Sequence, residues 1–497
     1  METLMQGLHV FEPKTRTVID LESFIPEDHL LRQIDRIVEP AFIRKLTTDC
    51  YAEGRGRPSI DPVVYFRMVL VAYLYGIDSD RRLCEEVHFN LAYRWFCRLS
   101  LEDEVPDHSS FSRIRDRYGE EIYEQVFHEI VKLCQQHGLV AESCSVMTDA
   151  TLIAADATLN SLIHNDTNEA NKEVESQQRD RGLKDGSSAR RVSNKTHTSH
   201  TDPDATLAQK PGTPRQLKYK VHQSIDADSR VILDTYVTTG ARHDNQPYLD
   251  QLQRIEHRYK LTIHEVTADR GYGSAAIIHA LQEQGKQTFI PLWSGRVGNS
   301  KYLSSGLVYE KEQDRFRCPE GKYLHPNPGS NRNYKRYVSL SADCKICPQA
   351  STCPARTRSC SPQRFVLRSL DQDFFEDVLT RMRDPVFRQK LSERMWKSEG
   401  LFAEAKQNHG LSRARYRERV KVQIQAYLSA TAQNLKQLVK AFCFGLIAWW
   451  SRRRITTTHS LHIPRKRTLS TRPNDFSEIS FVRCTEASSH RPSNCRS

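Results

Sequence analysis

A mixed sheet flanked by helices, preceded by a helical N-terminal domain and interrupted by a cysteine-rich insertion, is the α+β or α/β architecture that the sequence predicts. Three observations carry it. Apolar residues recur at helical spacing through residues 1–140. From 143 to 292 the pattern changes to alternating strands, followed by strand, helix and strand. Four cysteines, Cys318, Cys344, Cys347 and Cys353, then fall in an arrangement suited to one metal ion.

Pro62 opens a helix over 63–76, where Val64, Met68, Val71 and Tyr75 recur at helical spacing, and 109–139 continues in the same style. Several short helices with arginine on their outer faces suit a DNA-binding domain over 1–140, or equally an ordinary bundle with a solvated face. Residues 143–155 are rich in Val, Ile, Leu and Thr. Residues 217–225 and 231–239 alternate around the turn-forming Asp226-Ala227-Asp228-Ser229, which predicts a hairpin. A strand over 261–268, a helix over 274–284 and a short strand over 288–292 complete the sheet. Residues 141–295 thus form the first part of a core, and 374–440, which carry Glu399, its helical C-terminal part. Within it, 158–215 is polar with almost no aromatic residue, so it cannot bury enough surface to fold alone and is expected to be disordered. Residues 296–373 hold the cysteine-rich insertion. The basic tail over 441–497, with Arg452-Arg453-Arg454 and Arg465-Lys466-Arg467, is expected to be disordered too.

Lys and Arg number 73 against 61 Asp and Glu, giving a net charge of +12 and a pI near 9.0. That balance favours a polyanionic partner, most commonly nucleic acid, although a merely soluble basic protein has the same composition. The 13 cysteines are odd in number and no signal-peptide pattern opens the chain, which points to a reducing cytoplasm. The longest apolar run, 441–450, falls well short of the ~20 residues a spanning helix needs, so no membrane segment is expected.

Asp149 sits in an apolar strand, and Asp269 ends another and is followed by Gly271 and Gly273, which let the backbone turn sharply. Each alone reads as readily as a turn or cap residue. The third acid follows from helix geometry. Asp384-Pro385 is a helix start and His409-Gly410 a stop, and Phe387, Leu391, Met395 and Phe402 define one stripe between them. Glu399 lies on the flank of that stripe, roughly 70° from its centre, with Lys406 almost directly above it, while Arg394 falls on the other flank. Glu393 and Glu404 point away. Phosphodiester chemistry requires an attacking and a leaving oxygen stabilised in line, which two divalent ions accomplish, and two Asp with one Glu supply the oxygen ligands such ions prefer.

At these residues the chain resembles the DDE transposases of bacterial insertion sequences. The N-terminal part, with Gly56-Arg57-Pro58, Asp61-Pro62, Tyr73-Leu74-Tyr75-Gly76 and Pro106-Asp107-His108-Ser109-Ser110-Phe111, is similar to the InsH-like N-terminal domain of such enzymes. The core resembles theirs through Thr148-Asp149-Ala150-Thr151, Ala268-Asp269-Arg270-Gly271-Tyr272-Gly273, Glu399 with Phe402 and Lys406, Arg413-Ala414-Arg415-Tyr416-Arg417, and Ala432-Gln433-Asn434-Leu435-Lys436. The resemblance implies a ribonuclease H-like core and Mg2+-dependent (or Mn2+-dependent) cutting and joining of transposon ends. It implies that Asp149, Asp269 and Glu399 hold two ions and that Lys406 contacts the transposon end. The partners it implies are double-stranded DNA, as terminal inverted repeats and target, and further copies of the chain on that DNA, in the bacterial cytoplasm at the nucleoid. A structure-specific nuclease on the same core, and a non-catalytic DNA-binding protein derived from a transposase, are the alternatives.

Cys318, Cys344, Cys347 and Cys353 could together hold a structural zinc ion, with Cys360 a substitute fourth ligand, or could be free thiols in a loop. Arg270 follows Asp269 directly. Lys218, Lys220 and His222 alternate on one strand face, and Arg413, Arg415 and Arg417 cluster after the Glu399 helix; these basic residues line a DNA path or a solvated face.

Overall fold

The structure is a computed structural model, and it describes residues 18–51, 59–165, 192–210, 212–292, 306–331, 334–353, 355–358 and 361–457. The core and the candidate site lie within one compact unit, Met1–Phe444. Helices α1 (Leu21–Phe24), α2 (Leu30–Ile37), α3 (Ala41–Thr47), α4 (Pro62–Leu74), α5 (Asp80–Phe89), α6 (Leu91–Cys97) and α7 (Ser109–Gln136) come first. Asp61 caps α4, its carboxylate accepting from the Val63 N–H at 2.8 Å, and Pro62 occupies the first turn. The helix is buried nearly all round, from Val63 to Leu74, so the stripe read from the sequence is one face of a central helix.

Eight strands follow: β1 (Ser143–Ala154), β2 (Leu162–His164), β3 (His197–Ser199), β4 (Thr206–Ala208), β5 (Gln216–Asp226), β6 (Ile232–Thr239), β7 (Thr262–Ala268) and β8 (Gln287–Phe289). The main sheet runs β4-β5-β1-β7-β8, with β6 also paired to β5. It is mixed, because β5 is antiparallel to β1, β4 and β6, whereas β7 is parallel to β1 and β8 to β7. Two helices make the returns that parallel pairing requires, α8 (Tyr248–Tyr259) before β7 and α9 (Ala275–Glu283) before β8. The segment expected to be disordered contributes β2, β3 and β4; residues 166–191 within it lie outside the described residues.

After the insertion come α11 (Gln372–Arg381), α12 (Pro385–Asn408) and α13 (Arg419–Thr457). Helix continues through 441–457, where a disordered tail was expected; 458–497 lie outside the described residues. Buried amides of α13 close the free edge of β6. Asn434 accepts from the Ile232 N–H at 2.8 Å and donates to the Ile232 carbonyl at 2.9 Å, and Gln423 does the same for the Val237 N–H and the Thr235 carbonyl. A covered edge cannot template further strands. Gln433 donates to the Leu401 carbonyl at 2.9 Å and so ties α13 to α12. The motif Ala432-Gln433-Asn434-Leu435 therefore has a structural use.

The cysteine-rich insertion is a second sheet, antiparallel throughout, made of β9 (Val308–Glu310), β10 (Arg315–Arg317), β11 (Tyr323–Asn331), β12 (Tyr334–Ser339), β13 (Arg356–Arg358) and β14 (Ser361–Ser369), with α10 (Ser341–Lys345) between β12 and β13. It has its own apolar core of Leu307, Phe316, Leu324, Tyr337, Ala355 and Val366, against which Cys318 and Cys353 pack. Among the described residues no three His, Cys, Asp or Glu side chains stand close enough to hold a metal ion, so the four cysteines are not gathered as zinc ligands. That apolar core gives the segment packing cohesion of its own. Cys360 lies outside the described residues. Among the described residues no helix is long and apolar enough to cross a membrane.

One glycine fixes how the loop after β7 returns. A Cβ on Gly273 would collide with the carbonyl oxygen of Pro291, a backbone atom that cannot rotate away. Gly273→Ala is expected to lower unfolding free energy by about 1–3 kcal/mol, measured by urea denaturation; an unchanged midpoint would show that this approach is not needed.

Candidate active site

The parallel register of β1 and β7 pairs Met147 with Thr267 and Thr148 with Ala268. Asp149 and Asp269 are the next residues on two neighbouring strands, whose backbones run ~4.8 Å apart. β7 stops there because Asp269 turns back on the chain. Its Oδ1 accepts from the Gly271 N–H at 2.8 Å and caps the single turn Arg270–Tyr272. Asp149 likewise accepts from the Ala150 N–H at 2.8 Å.

Helix α12 lies across both strands. Asp384 caps it, accepting from the Val386 N–H at 2.8 Å with Pro385 in the first turn, and His409 ends it, as the sequence predicted. Its orientation is set by long cations reaching into the sheet. Lys390 pairs with Glu265 at 2.7 Å, Arg394 with Asp149 at 2.9 Å, Lys397 donates to the Ala227 carbonyl at 2.7 Å, and Lys406 donates to Thr151 Oγ1 at 2.7 Å. The buried face is Phe387, Ser398, Leu401, Phe402 and Ala405, while Met395 is 50% exposed. The stripe expected from the sequence is thus rotated, because the polar anchors outweigh one exposed methionine. Glu399 is exposed on the same helix, and the structure does not bring it into a ligating group with the two aspartates.

The electrostatics concentrate on the aspartate pair. The Asp149 carboxyl is raised to about 6: burial is the largest cause, the Arg394 guanidinium and the Ala150 N–H pull against it, and the negative charge of Asp269 adds to the rise. Burial also raises Asp269, against the Gly271 N–H and Arg394, with Asp244 adding to the rise. Arg394 therefore serves as the neutralising cation for both. Paired carboxylates short of positive charge are the donor set a hard divalent ion favours. A third carboxylate is close by: a Cβ added to Gly271 would press on an Asp269 oxygen at 3.0 Å and an Asp244 oxygen at 3.1 Å. A cavity of about 620 Å³ opens here, lined by His243, Asn245, Arg270 and Ser274 among others. Asp244 was not singled out from the sequence. It stands in a loop without periodicity, and only its position after a predicted strand hinted at a role.

Two family matches place this geometry. Residues 19–117, covering α1 to the start of α7, match the family described as "Transposase domain (DUF772)", and residues 317–439, covering α12 with Arg394, Glu399 and Lys406, match "Transposase DDE domain". Both matches are to transposase domains, and they support a DDE transposase of the insertion-sequence type. No curated protein matches. Among solved structures, the piggyBac transposase synaptic complex with hairpin DNA aligns at 8% identity over 88% of this chain and 86% of that one, with a TM-score of 0.28. A pre-cleavage Mos1 transpososome aligns at 12% identity over 53% and 78%, with a TM-score of 0.15. The family assignment rests on the two sequence matches.

The basic residues of the chain divide by environment. Lys406 is half-buried, and burial together with Lys210 and Lys218 lowers its pKa, so three ammonium groups act on one region beside Thr151. Arg270 is exposed at the cavity, and Arg413 and Arg417 are exposed and pair with Asp156 at 2.9 and 3.3 Å. The face shared by Lys218, Lys220 and His222 is largely interior. Lys220 pairs with Asp244 at 2.7 Å, and the fully buried His222 hydrogen-bonds Thr238 at 2.9 Å. Arg415 turns inward, its guanidinium 4.5 Å from the Tyr73 ring, and so helps dock α4 on the core. His409 acts there too, bonded to the Tyr73 carbonyl at 2.6 Å.

At that joint, hydrogen bonding from His409, with Lys436 assisting, holds the Glu404 carboxyl down at about 2. A folded-state value below the ordinary 4.5 contributes stability above pH 4.5 that is lost as pH falls toward 2. Glu404→Gln is expected to cost about 1–2 kcal/mol at pH 7, the difference from the parent vanishing near pH 2. Denaturant midpoints across that range check it; a cost independent of pH would mean that shape and not charge is at stake.

Proposed function

We propose that this transposase cuts its element's ends by metal-dependent hydrolysis and joins the released 3′ hydroxyl to target DNA. In this reading the main sheet and its helices are a ribonuclease H-like core, and Asp149, Asp269 and Glu399 hold two Mg2+ or Mn2+ ions. The single observation that carries the reading is the placement of Asp149 beside Asp269 on adjacent parallel strands, under a helix of the matched DDE domain. The ions, when bound, stabilise attacking and leaving oxygens in line.

The chain's own residues bind and orient the DNA. Lys406, with Lys218 and Lys210 around it, is suited to a backbone phosphate at the element end, since an anion relieves their mutual repulsion. Arg394 keeps the aspartates ionised and in place, and Arg270, Arg413 and Arg417 extend a basic path. Lys220 and Arg415 contribute less directly, by positioning Asp244 and α4. The helical region through residue 140 reads the terminal inverted repeats of double-stranded DNA. Bringing two ends together calls for further copies of the chain, and the working compartment is the bacterial cytoplasm.

The test is cleavage and joining of labelled element ends with Mg2+. Asp269→Asn is expected to abolish both while leaving DNA retention in a gel-shift unchanged. Cleavage without joining by the parent would make the protein a nuclease. Cleavage by Asp269→Asn equal to the parent would overturn the reading.

A further inference from the structure

The two faces of the insertion sheet differ in kind. Phe316 pairs with Leu324, Leu324 with Ser339 and Tyr337 with Val366, and all of these are buried on one face. The alternate residues of β9 to β12 and β14 stand on the other face, where none of the described ones is buried. That open face interleaves cations with rings. Arg317 pairs with Tyr323 across β10 and β11, His325 follows on β11, and β12 adds Tyr334 and Arg336. The guanidinium of Arg315 lies 3.6 Å from the centre of the Tyr323 ring, and that of Arg336 4.4 Å from the centre of the Phe365 ring. Stacking of this kind fixes the plane of a guanidinium and leaves its edge N–H groups for an acceptor. Acceptors are short on this face. One carboxylate, Glu310, serves both Arg315 at 2.7 Å and Arg317 at 3.2 Å, and the Nε of Arg336 has no hydrogen-bond partner among the described residues. Tyr334 is 43% exposed and His325 is exposed as well, so two rings offer their surface to a partner.

We infer that this open face of the insertion binds an unpaired DNA strand, with Arg315, Arg317 and Arg336 on its phosphates and His325 and Tyr334 stacked on its bases. Positive charge set among exposed rings suits a single strand, because the phosphates take the charge and unpaired bases present their π-faces. A duplex keeps those faces in its own stack, so it would use the cations and not the rings. The inference rests on the proposed function, since nicked ends are where a DNA-cutting enzyme meets unpaired strand, and it assigns that strand to residues the expected DNA path does not include.

Fluorescence anisotropy of a labelled oligothymidine strand with the full chain, in the absence of divalent ions, tests this across a range of salt. Arg317→Gln combined with Arg336→Gln is expected to flatten the dependence of log affinity on log salt by about 0.7 per lost phosphate contact, about 1.4 in all. His325→Ala combined with Tyr334→Ala is expected to weaken the single strand at least about 5-fold while leaving that salt dependence, and the affinity for a duplex of equal length, as in the parent. A strand carrying 5-iodouracil provides a check that needs no variant: on irradiation it should crosslink to the parent protein at Tyr323, His325 or Tyr334. Ring variants that bind the single strand like the parent, or that lose strand and duplex alike, overturn the inference, as do crosslinks confined to other parts of the chain. Those outcomes leave the proposed function standing so long as Asp269→Asn abolishes cleavage. Asp269→Asn cutting like the parent would instead sink that function, whereas strand binding, measured without metal, is read separately.

Discussion

Replacing Arg394 by Met is expected to cost the metal-free protein about 2–4 kcal/mol at pH 8, because it leaves two neighbouring buried carboxylates without their shared cation. The side chains of Arg394 and Asp149 are only 13% and 15% exposed, so water cannot take over the role of the guanidinium. The pH dependence has a definite sign. Asp149 already has a folded-state value of about 6, above the ordinary 3.8, and losing Arg394 raises it further. Above that value the carboxylate is charged and unpaired; below it the group is neutral and the cation is not missed. The deficit of Arg394→Met should therefore be largest at alkaline pH and be lost as pH falls to about 6. A divalent ion bound at the aspartates would replace the lost charge, so millimolar Mg2+ should raise the thermal midpoint of the variant more than that of the parent. Thermal scans with and without Mg2+ at pH 5.5 and 8 check all of this. A variant as stable as the parent at pH 8 would show that Arg394 is not the neutralising group.

Much of the core was legible because its signals are local. The hairpin of β5 and β6 follows from alternation around Asp226-Ala227-Asp228-Ser229, and α12 from Asp384-Pro385 at one end and His409-Gly410 at the other. Asp149 and Asp269 could be chosen as acids of two apolar strands, yet their adjacency depends on the register of β1 and β7, which no local pattern encodes. The rotation of α12 was hidden for a related reason. It is fixed by Lys390, Arg394 and Lys397 reaching partners more than a hundred residues away, whereas periodicity weighs only apolar residues and so counted the exposed Met395. The insertion was read through its cysteines, and its short strands, with Pro, Gly and Asn in the longest of them, gave no alternation to announce a sheet.

Glu399→Gln should leave the thermal midpoint within about 1 °C of the parent and reduce Mg2+-dependent end cleavage at least about 100-fold. The first half follows from exposure: Glu399 stands on the solvent side of α12 and carries no packing whose loss would destabilise the fold. The second half follows from its proposed role, since partners behind a metal ligand already cost 10–100-fold when removed and a ligand should cost no less. The contrast with Arg394→Met is instructive, because there stability and activity should fall together, whereas here activity alone should fall. Such a split is the signature of a group whose interactions form only on the loaded, DNA-bound enzyme. In the structure Glu399 does not reach Asp149 and Asp269, so the proposed ligand role would call for α12 to turn or slide toward the strands, against the ties made by Lys390, Lys397 and Lys406. If Glu399→Gln cleaves like the parent, the third carboxylate lies elsewhere, and Asp244, already beside Asp269, is the residue to replace next.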